Sequence, residues 1–413
     1  MDRQPANPWS KQEVILLAVA WMGWTFDVMD VALFNFAKVP LMTEILGGEA
    51  NYKATGGPIE ANLLFVLMLG WSVGGFFFGW LADRIGRMRC LLVTVLIYAV
   101  FTGLTAFCHT VEQLYVVRFL TGLGVGGEWA AGAALVAENV SEDKRARAAS
   151  WLQTAAAFGP WFAAMINFAL VGHGWRALFL VGVLPALATL FLRRLVSSSE
   201  VSLKQESPQV ATLVATKVPW KRVAVGLALG TAGIASATNV SFWLPNIVKQ
   251  LSPGMPAADI QSRQSVAALV LHIGTLAGVF LVPWLCSRLG RRLTLLLCFL
   301  VSPVIVTIVA TVAKDFQALL LMSPLMALLG IGTSAAFVLY FPELFPSRHR
   351  AFGAGVSYNG GRVLAAMFPL LTAHLPAFQT DVTKSVAQTS LFLAFGAIAL
   401  LFAPETKGDP LPA

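Results

Sequence analysis

Charged residues are scarce in this chain of 413 residues: Asp, Glu, Lys and Arg make up 12% of it, whereas a soluble domain carries about 25%. Hydrophobic residues make up 57%, and the mean hydropathy is +0.72. This shortage of charge excludes an ordinary soluble domain and predicts a protein that lies in the lipid bilayer. Since a spanning helix needs about 20 mostly apolar residues, a chain of this length has room for about a dozen spans.

Cysteine pairs and catalytic motifs are also missing. Cys90, Cys108, Cys286 and Cys298 are scattered in or beside apolar runs and form no CxxC, which argues against a disulfide framework or a metal site. The sequence contains no HExxH, G-x-S-x-G or Walker loop, so we expect no enzyme activity, no cofactor and no ATP-driven step within the chain. The formal charge of +8 does not indicate nucleic-acid binding, because membrane proteins keep excess Lys and Arg in cytoplasmic loops.

The apolar runs predict an all-α membrane protein with twelve transmembrane helices. Most of the 29 Lys and Arg residues fall in loops on the side that both termini share, so we expect both termini in the cytoplasm and the protein in the plasma (inner) membrane. The loop 195–222 divides the chain into two six-helix bundles, 1–194 and 223–413. The predicted spans are 13–37, 61–81, 90–108, 113–138, 149–171, 176–194, 223–248, 264–286, 293–312, 316–341, 351–375 and 384–403.

The two halves repeat a loop motif. The segment 80–87 reads WLADRIGR and the segment 284–291 reads WLCSRLGR, at the same place in each six-helix half. Two parallel repeats with a binding site between them are a plan that many secondary transporters share. The repeat therefore predicts a transporter.

The motif GWLADRIGRMR at 79–89 resembles the loop signature of the major facilitator superfamily. RFLTGLGVGGEW at 118–129, PELFPSRHR at 342–350 and PETKG at 404–408 resemble its sugar- and organic-acid-porter branch. SYNGGR at 357–362 and the two acids of DVMD at 27–30 look closer to proton-coupled carboxylate symporters, such as the sialic acid, lactate and aromatic-acid groups. The resemblance implies the major facilitator fold. One departure is SSSE at 197–200, where sugar porters usually carry a PESPR-like segment.

Two carboxylates in the first span are the candidate proton site. Asp27 and Asp30 are three residues apart, so they project from one side of a helix. Arg118 lies at a similar depth in the fourth span, and in the sugar symporters that the chain resembles such a pair carries the proton. The alternative is a static ion pair, and which acid takes the proton stays open. Glu128 is either a second titratable site or a packed, protonated residue.

Arg362 is the candidate anion site, because an embedded arginine without an acid in its own span needs an anion elsewhere. A substrate carboxylate would supply it, and a guanidinium binds a carboxylate with two hydrogen bonds. The alternatives are an acid from another span or backbone carbonyls. Tyr358 and Asn359 share the helix face of Arg362. Further polar candidates for the substrate cavity are Gln153, Asn239 and His272.

Charges at the cytoplasmic ends of the helices are expected either to set orientation alone or to form a latch between the bundles. The acids favour a latch, because an orientation signal needs only Lys and Arg. The proposed members of this gate are Asp83, Arg84, Arg87, Glu138, Arg147, Glu343 and Arg350.

We therefore expect a monomeric secondary transporter that imports a small organic anion together with protons. The alternatives are a sugar or polyol porter and a drug/proton antiporter. Lys38, at the outer end of the first span, is expected to extend into water and to have no part in transport.

Overall fold

The fold is helical throughout the part of the chain that the computed structural model describes, which is residues 9–85, 87–139, 144, 148, 151–184, 219–346 and 350–409. No strand occurs among these residues. The helices are α1 Lys11–Ile45, α2 Glu49–Asn51, α3 Gly57–Ile85, α4 Arg87–Thr105, α5 Val111–Asn139, α6 Ala155–Ala169, α7 Trp175–Leu184, α8 Trp220–Gln250, α9 Ala257–Leu289, α10 Arg291–Val312, α11 Phe316–Gly330, α12 Thr333–Leu344, α13 Arg350–Gly355, α14 Gly361–Ala365, α15 Met367–His374, α16 Val382–Leu391 and α17 Phe395–Ala399.

Helices α1–α7 precede the segment 185–218 and α8–α17 follow it, and we call these two sets the N-terminal half and the C-terminal half. Seven helical segments of the described residues are long and apolar enough to cross a membrane, and two shorter apolar helices, Leu92–Thr105 and Trp175–Leu184, accompany them. Most of the predicted linker 195–222 lies outside the described residues, so the boundary between the bundles stays a prediction. Together these elements follow the order of the predicted spans.

Helix α1 is longer than the predicted span 13–37. It begins with a capping box between Ser10 and Glu13 and continues to Ile45. The buried side chains of Leu41 and Met42 keep the last turns packed, although Pro40 lies inside the helix. The segment between the first two predicted spans, 13–37 and 61–81, is therefore mostly helical, and it contains α2 and a π-helical turn at Tyr52–Gly56.

Helices α3 and α5 pack closely because glycines face each other. A Cβ atom at Gly74 would overlap the carbonyl oxygen of Leu123, and a Cβ at Gly126 would overlap that of Trp71. Small residues at such positions let two backbones approach, which is a common way to join helices in membranes. This contact fixes α5, and with it Arg118, against the rest of the N-terminal half.

The predicted spans 316–341 and 351–375 are both interrupted. The first consists of α11 and α12, and the second contains α13, a π-helical turn at Val356–Gly360, α14 and α15. Pi-helical turns inside membrane helices are often found at functional sites. This one holds Tyr358 and Asn359 and ends two residues before Arg362.

Candidate substrate and proton sites

A cavity of about 190 Å³ lies between the two halves of the molecule. Both halves line it: α1, α3 and α6 on one side, and helices of the C-terminal half on the other. Its wall is largely aromatic and apolar, with a few polar groups. The aromatic lining residues are Trp24, Phe36, Trp71, Phe242 and Tyr358. Such a wall with sparse polar groups suits a small ligand with an apolar body.

Arg362 is the cationic side chain among the lining residues that the structure describes. Its side chain is buried, with the guanidinium carbon 3.8 Å from the ring centre of Trp71 and 4.9 Å from that of Tyr358. Its Nη1 atom has no hydrogen-bond partner among the described residues. A buried, unsatisfied guanidinium nitrogen is costly, so Arg362 is stabilised when the site rearranges to bring an anion to this atom.

Asp30 and Arg118 meet inside the N-terminal half, away from the cavity. An oxygen of Asp30 lies 3.5 Å from Nη1 of Arg118, and the other accepts a hydrogen bond of 2.7 Å from Thr102. The guanidinium also stacks over Phe34 at 4.1 Å. All these side chains are buried. The ion pair is loose, because no N–H group of Arg118 makes a well-formed hydrogen bond with a described residue.

Asp27 lies one turn before Asp30 on the same face of α1, and it is fully buried. It is close enough to Arg362 to interact electrostatically with it. Asp27 therefore stands between the two charged sites, with Asp30 and Arg118 on one side and Arg362 of the other half on the other. This arrangement brings the four predicted embedded charges, Asp27, Asp30, Arg118 and Arg362, into one region.

A second buried charge pair lies where α1 ends; we call it the distal cluster, made of Lys38, Tyr52, Glu60, Asn246 and the carbonyl group of Phe242. Lys38 Nζ is 3.5 Å from Glu60 and donates a 2.6 Å hydrogen bond to the Phe242 carbonyl. Tyr52 donates to Glu60 at 2.9 Å, and Asn246 donates to both of them. The cluster thus joins the two halves.

The prediction that Lys38 extends into water was wrong. Its side chain is 0% exposed, as is that of Glu60. The ammonium group also lies 3.2 Å from the ring centre of Phe242. The reason is the length of α1: the helix runs past the predicted end of the span, so Lys38 lies between Glu60 of α3 and the rings of Phe242 and Trp243 of α8.

The other predicted substrate residues are only partly at the cavity. Gln153 lines it and donates to Ser334 of the opposite half, while Tyr358 and His272 also line it. Asn239 does not, which corrects the prediction: its amide donates to Thr389 and accepts from Thr372, so it holds helices of the C-terminal half together.

Asn359 is likewise absent from the described lining of the cavity. It is buried, and its backbone carbonyl accepts a 3.0 Å hydrogen bond from Ser72 of the N-terminal half. In this conformation Asn359 therefore stabilises the contact between the two halves, through its backbone carbonyl.

The predicted gate is described only in part. Arg84 is exposed and stacks on Trp80 at 3.9 Å. Glu343 accepts two hydrogen bonds, of 2.7 and 3.0 Å, from Arg291, which belongs to the same half. This pair therefore joins α10 to α12 and does not by itself link the bundles. The remaining predicted gate residues lie outside the described side chains, as does Glu128; they are Asp83, Arg87, Glu138, Arg147 and Arg350.

The PETKG segment binds the repeated loop motif of the C-terminal half. Both carboxylate oxygens of Glu405 accept from the first N–H groups of α10, those of Arg291 and Arg292, at 2.9 Å. Burial of Glu405 disfavours its charged form, but these N–H groups outweigh the effect and hold the pKa of the carboxyl below its usual range. Gly290 has φ 95°, and a Cβ atom there would approach Glu405 Oε2 within 2.7 Å.

Replacing Gly290 by alanine should therefore destabilise the protein by roughly 1–3 kcal/mol, the usual cost of a strained backbone conformation. Gly79→Ala is the matched control, because this glycine of the first motif copy is helical and a Cβ there meets open space. Thermal unfolding of both variants in detergent measures the difference. Equal stability of the two variants would contradict the expectation.

Several residues of these sites were missed. No local sequence pattern singles out Tyr52 or Asn246 of the distal cluster, or Trp71 and Asn35 of the cavity. Asn35 lines the cavity, and its buried amide oxygen has no hydrogen-bond partner among the described residues. One sequence signal does indicate Glu60, also of the distal cluster: it is a charged residue at the start of an apolar run, as Lys38 is a charged residue at the end of one.

The comparison with protein families decides the class. A family model described as Major Facilitator Superfamily matches residues 20–369. The chain belongs to the Major Facilitator Superfamily. It is therefore a multi-pass membrane transporter and not an enzyme, and the predicted family and the twelve-helix fold class are confirmed.

This superfamily member is similar over nearly its whole length to curated transporters. The niacin transporter NiaP of Acinetobacter baylyi is 27% identical over 439 residues, covering 98% of this chain and 97% of that protein. The sialic acid transporter NanX of Escherichia coli is 24% identical, with 96% of both chains covered. The cis,cis-muconate transport protein of Acinetobacter baylyi is 25% identical, with 96% and 95% covered.

Solved structures agree on the fold. The inward-open xylose transporter XylE from Escherichia coli superposes with a TM-score of 0.75 at 17% identity, covering 97% of this chain and 98% of that one. At this identity the likeness shows the shared fold of the superfamily alone.

Proposed function

We propose that this superfamily member carries a small carboxylic acid together with protons by alternating access, across a plasma (inner) membrane with both termini in the cytoplasm. The observation that carries the proposal is Arg362, a buried arginine with an unsatisfied Nη1 at an aromatic cavity between the halves. The names of the relatives point the same way, because niacin, sialic acid and muconate are all carboxylic acids.

The size of the cavity favours a small acid. Its 190 Å³ is below the roughly 300–1,000 Å³ of pockets for drug-sized ligands. The aromatic wall would pack against a ring or another flat apolar body, while Arg362 binds the carboxylate. A one-ring acid fits this description better than a sugar, which needs many polar partners around its hydroxyl groups.

Pairs of ligands that differ only in charge test the substrate class. Purified protein in detergent is titrated with benzoate and benzamide, and with a panel of other carboxylates and sugars, and the thermal midpoint is recorded. A ligand that binds the folded state raises this midpoint by mass action. We expect stabilisation by acids and none by the matched amides or by sugars. Equal stabilisation by benzamide, or stabilisation by sugars alone, would contradict the proposal.

Asp30 and Arg118 support the proton half of the proposal. Their ion pair is buried and loose, so a proton on Asp30 removes a charge that the surroundings stabilise poorly. Each tenfold change in proton affinity between two conformations corresponds to about 1.4 kcal/mol, which is enough to shift their populations. Asp27 would transmit this change, since it lies between Asp30 and Arg362.

Asp30→Asn should uncouple transport from the pH gradient. The amide keeps the acceptor for Thr102 but carries neither charge nor an exchangeable acid proton. We expect counterflow of labelled substrate between equal pools to continue in proteoliposomes, while accumulation driven by an acidic exterior is lost. Accumulation that persists in Asp30→Asn and also in Asp27→Asn would refute proton coupling at this site.

A further inference from the structure

His272 lies on α9 and lines the cavity together with Arg362. Its side chain is 5% exposed. The ring nitrogen Nδ1 is 2.9 Å from the hydroxyl oxygen of Thr275, one turn further along the same helix. Thr275 itself is fully buried, so its hydroxyl group has no access to solvent.

The hydrogen bond with Thr275 selects the tautomer of His272. Buried threonines in helices commonly donate to the carbonyl four residues earlier, as Thr372 and Thr294 do here. Thr275 makes no such bond among the described residues, and its one hydrogen-bond partner there is Nδ1 of His272. A buried O–H group needs an acceptor, so Thr275 donates and Nδ1 accepts. In a neutral ring the proton is then on Nε2.

Nε2 faces the cavity. No described residue makes a hydrogen bond with Nε2. It is not one of the unpaired polar atoms that are fully buried, so part of its surface is accessible. Burial of the remainder of the ring leaves the cavity as the space that this nitrogen can reach. The site therefore offers a neutral N–H donor in addition to the cationic group of Arg362.

We propose that His272 is a specificity residue, whose Nε2–H group donates a hydrogen bond to an acceptor on the substrate other than its carboxylate. The favoured substrates are small acids that carry a second acceptor on an otherwise flat, apolar body, such as a ring nitrogen or a carbonyl oxygen. Thr275 is a positioning residue that fixes the tautomer. This inference rests on the proposed function, because Arg362 is taken to bind the carboxylate.

The probes are benzoate and the three pyridine carboxylates, which replace one ring CH by an acceptor nitrogen at different positions. Dissociation constants are measured by calorimetry on the purified full-length protein. A neutral hydrogen bond changes affinity by roughly 2- to 10-fold. We expect the wild type to bind at least one pyridine isomer more tightly than benzoate by this factor. In His272→Leu the ratio of the two affinities should fall to about one.

Two further variants separate recognition from simple packing. In His272→Gln the amide nitrogen lies near the place of Nε2, so part of the preference should return. Thr275→Val keeps the shape of the side chain but frees the tautomer, so the preference should fall while benzoate affinity stays the same. A purely structural role of His272 would instead weaken all four ligands together and lower the thermal midpoint.

The outcomes distinguish this inference from the proposed function. Binding of benzoate without a preference for any pyridine isomer, or a preference that survives in His272→Leu, overturns the role of His272 and leaves the carboxylate site intact. If the wild type binds no carboxylate at all, the proposed function fails, and the inference fails with it.

Discussion

Replacement of Arg362 by methionine should abolish measurable binding of carboxylate ligands. Loss of one partner of a buried, charged hydrogen bond costs about 2–5 kcal/mol, which is roughly a 30-fold or larger loss of affinity. Methionine retains the length and apolar packing of the stem against Trp71, so the cavity wall is preserved. Calorimetric titration of the purified variant with benzoate measures the change.

Two variants act as controls for Arg362→Met. Arg362→Lys keeps a positive charge but not the flat fork of donors, so we expect intermediate affinity if two hydrogen bonds hold the carboxylate. Arg263→Met removes an arginine that also stacks on an aromatic ring, Phe316, but lies outside the cavity lining, and it should bind normally. Wild-type affinity in Arg362→Met would exclude Arg362 as the anion site.

Lys38→Met should destabilise the protein by about 3–5 kcal/mol, because it leaves the carboxylate of Glu60 buried without its cation. Replacement of both partners, Lys38→Met with Glu60→Leu, should recover much of this loss, since the uncompensated charge is gone. The free energy of unfolding is compared in one detergent for the single and double variants. The resulting cycle gives the interaction energy of the pair.

Lys249→Met is the matched control for the distal cluster. Lys249 also pairs across the halves, with Glu49 at 2.9 Å, but these side chains are 29% and 53% exposed. Exposed pairs contribute about 0–1 kcal/mol, so its loss should hardly change stability. If Lys38→Met lowered the free energy of unfolding no more than Lys249→Met does, the burial of the Lys38–Glu60 pair would make no measurable contribution to stability.

The embedded charges were predictable because an acid or arginine in an apolar run is rare and demands an explanation. Helical spacing put Asp27 and Asp30 on one face, and the depth of Arg118 in its span placed it opposite Asp30. The 3.5 Å distance between Asp30 and Arg118 agrees with that argument. Arg362 follows from the same rule, as an embedded arginine without an acid in its own span. Its neighbours from the N-terminal half, such as Trp71, follow from no local pattern.

The distal cluster and Asn239 show what local patterns miss. Lys38 lies near the end of an apolar run, where a lysine usually reaches water; only the extension of α1 and the cover from the other half bury it. The sequence indicates that Asn239 lines the cavity, but its amide forms hydrogen bonds with the hydroxyl groups of two threonines, Thr389 and Thr372, that are distant along the chain. Both outcomes depend on contacts between residues more than a hundred positions apart along the chain.

The composition of the distal cluster determines how its contacts between the halves respond to the ionic strength of the medium. Lys38 and Glu60 belong to the same half, and what they contact across the gap is neutral: a carbonyl group and an amide. Separation of the halves at this end therefore leaves the two charges paired with each other. Dissolved ions screen exposed charges over about 8–10 Å but act little on buried ones. The contacts of the distal cluster should therefore hold equally well in dilute and in saline surroundings, whereas the exposed Lys249–Glu49 pair, which also joins the halves, should weaken as salt is added.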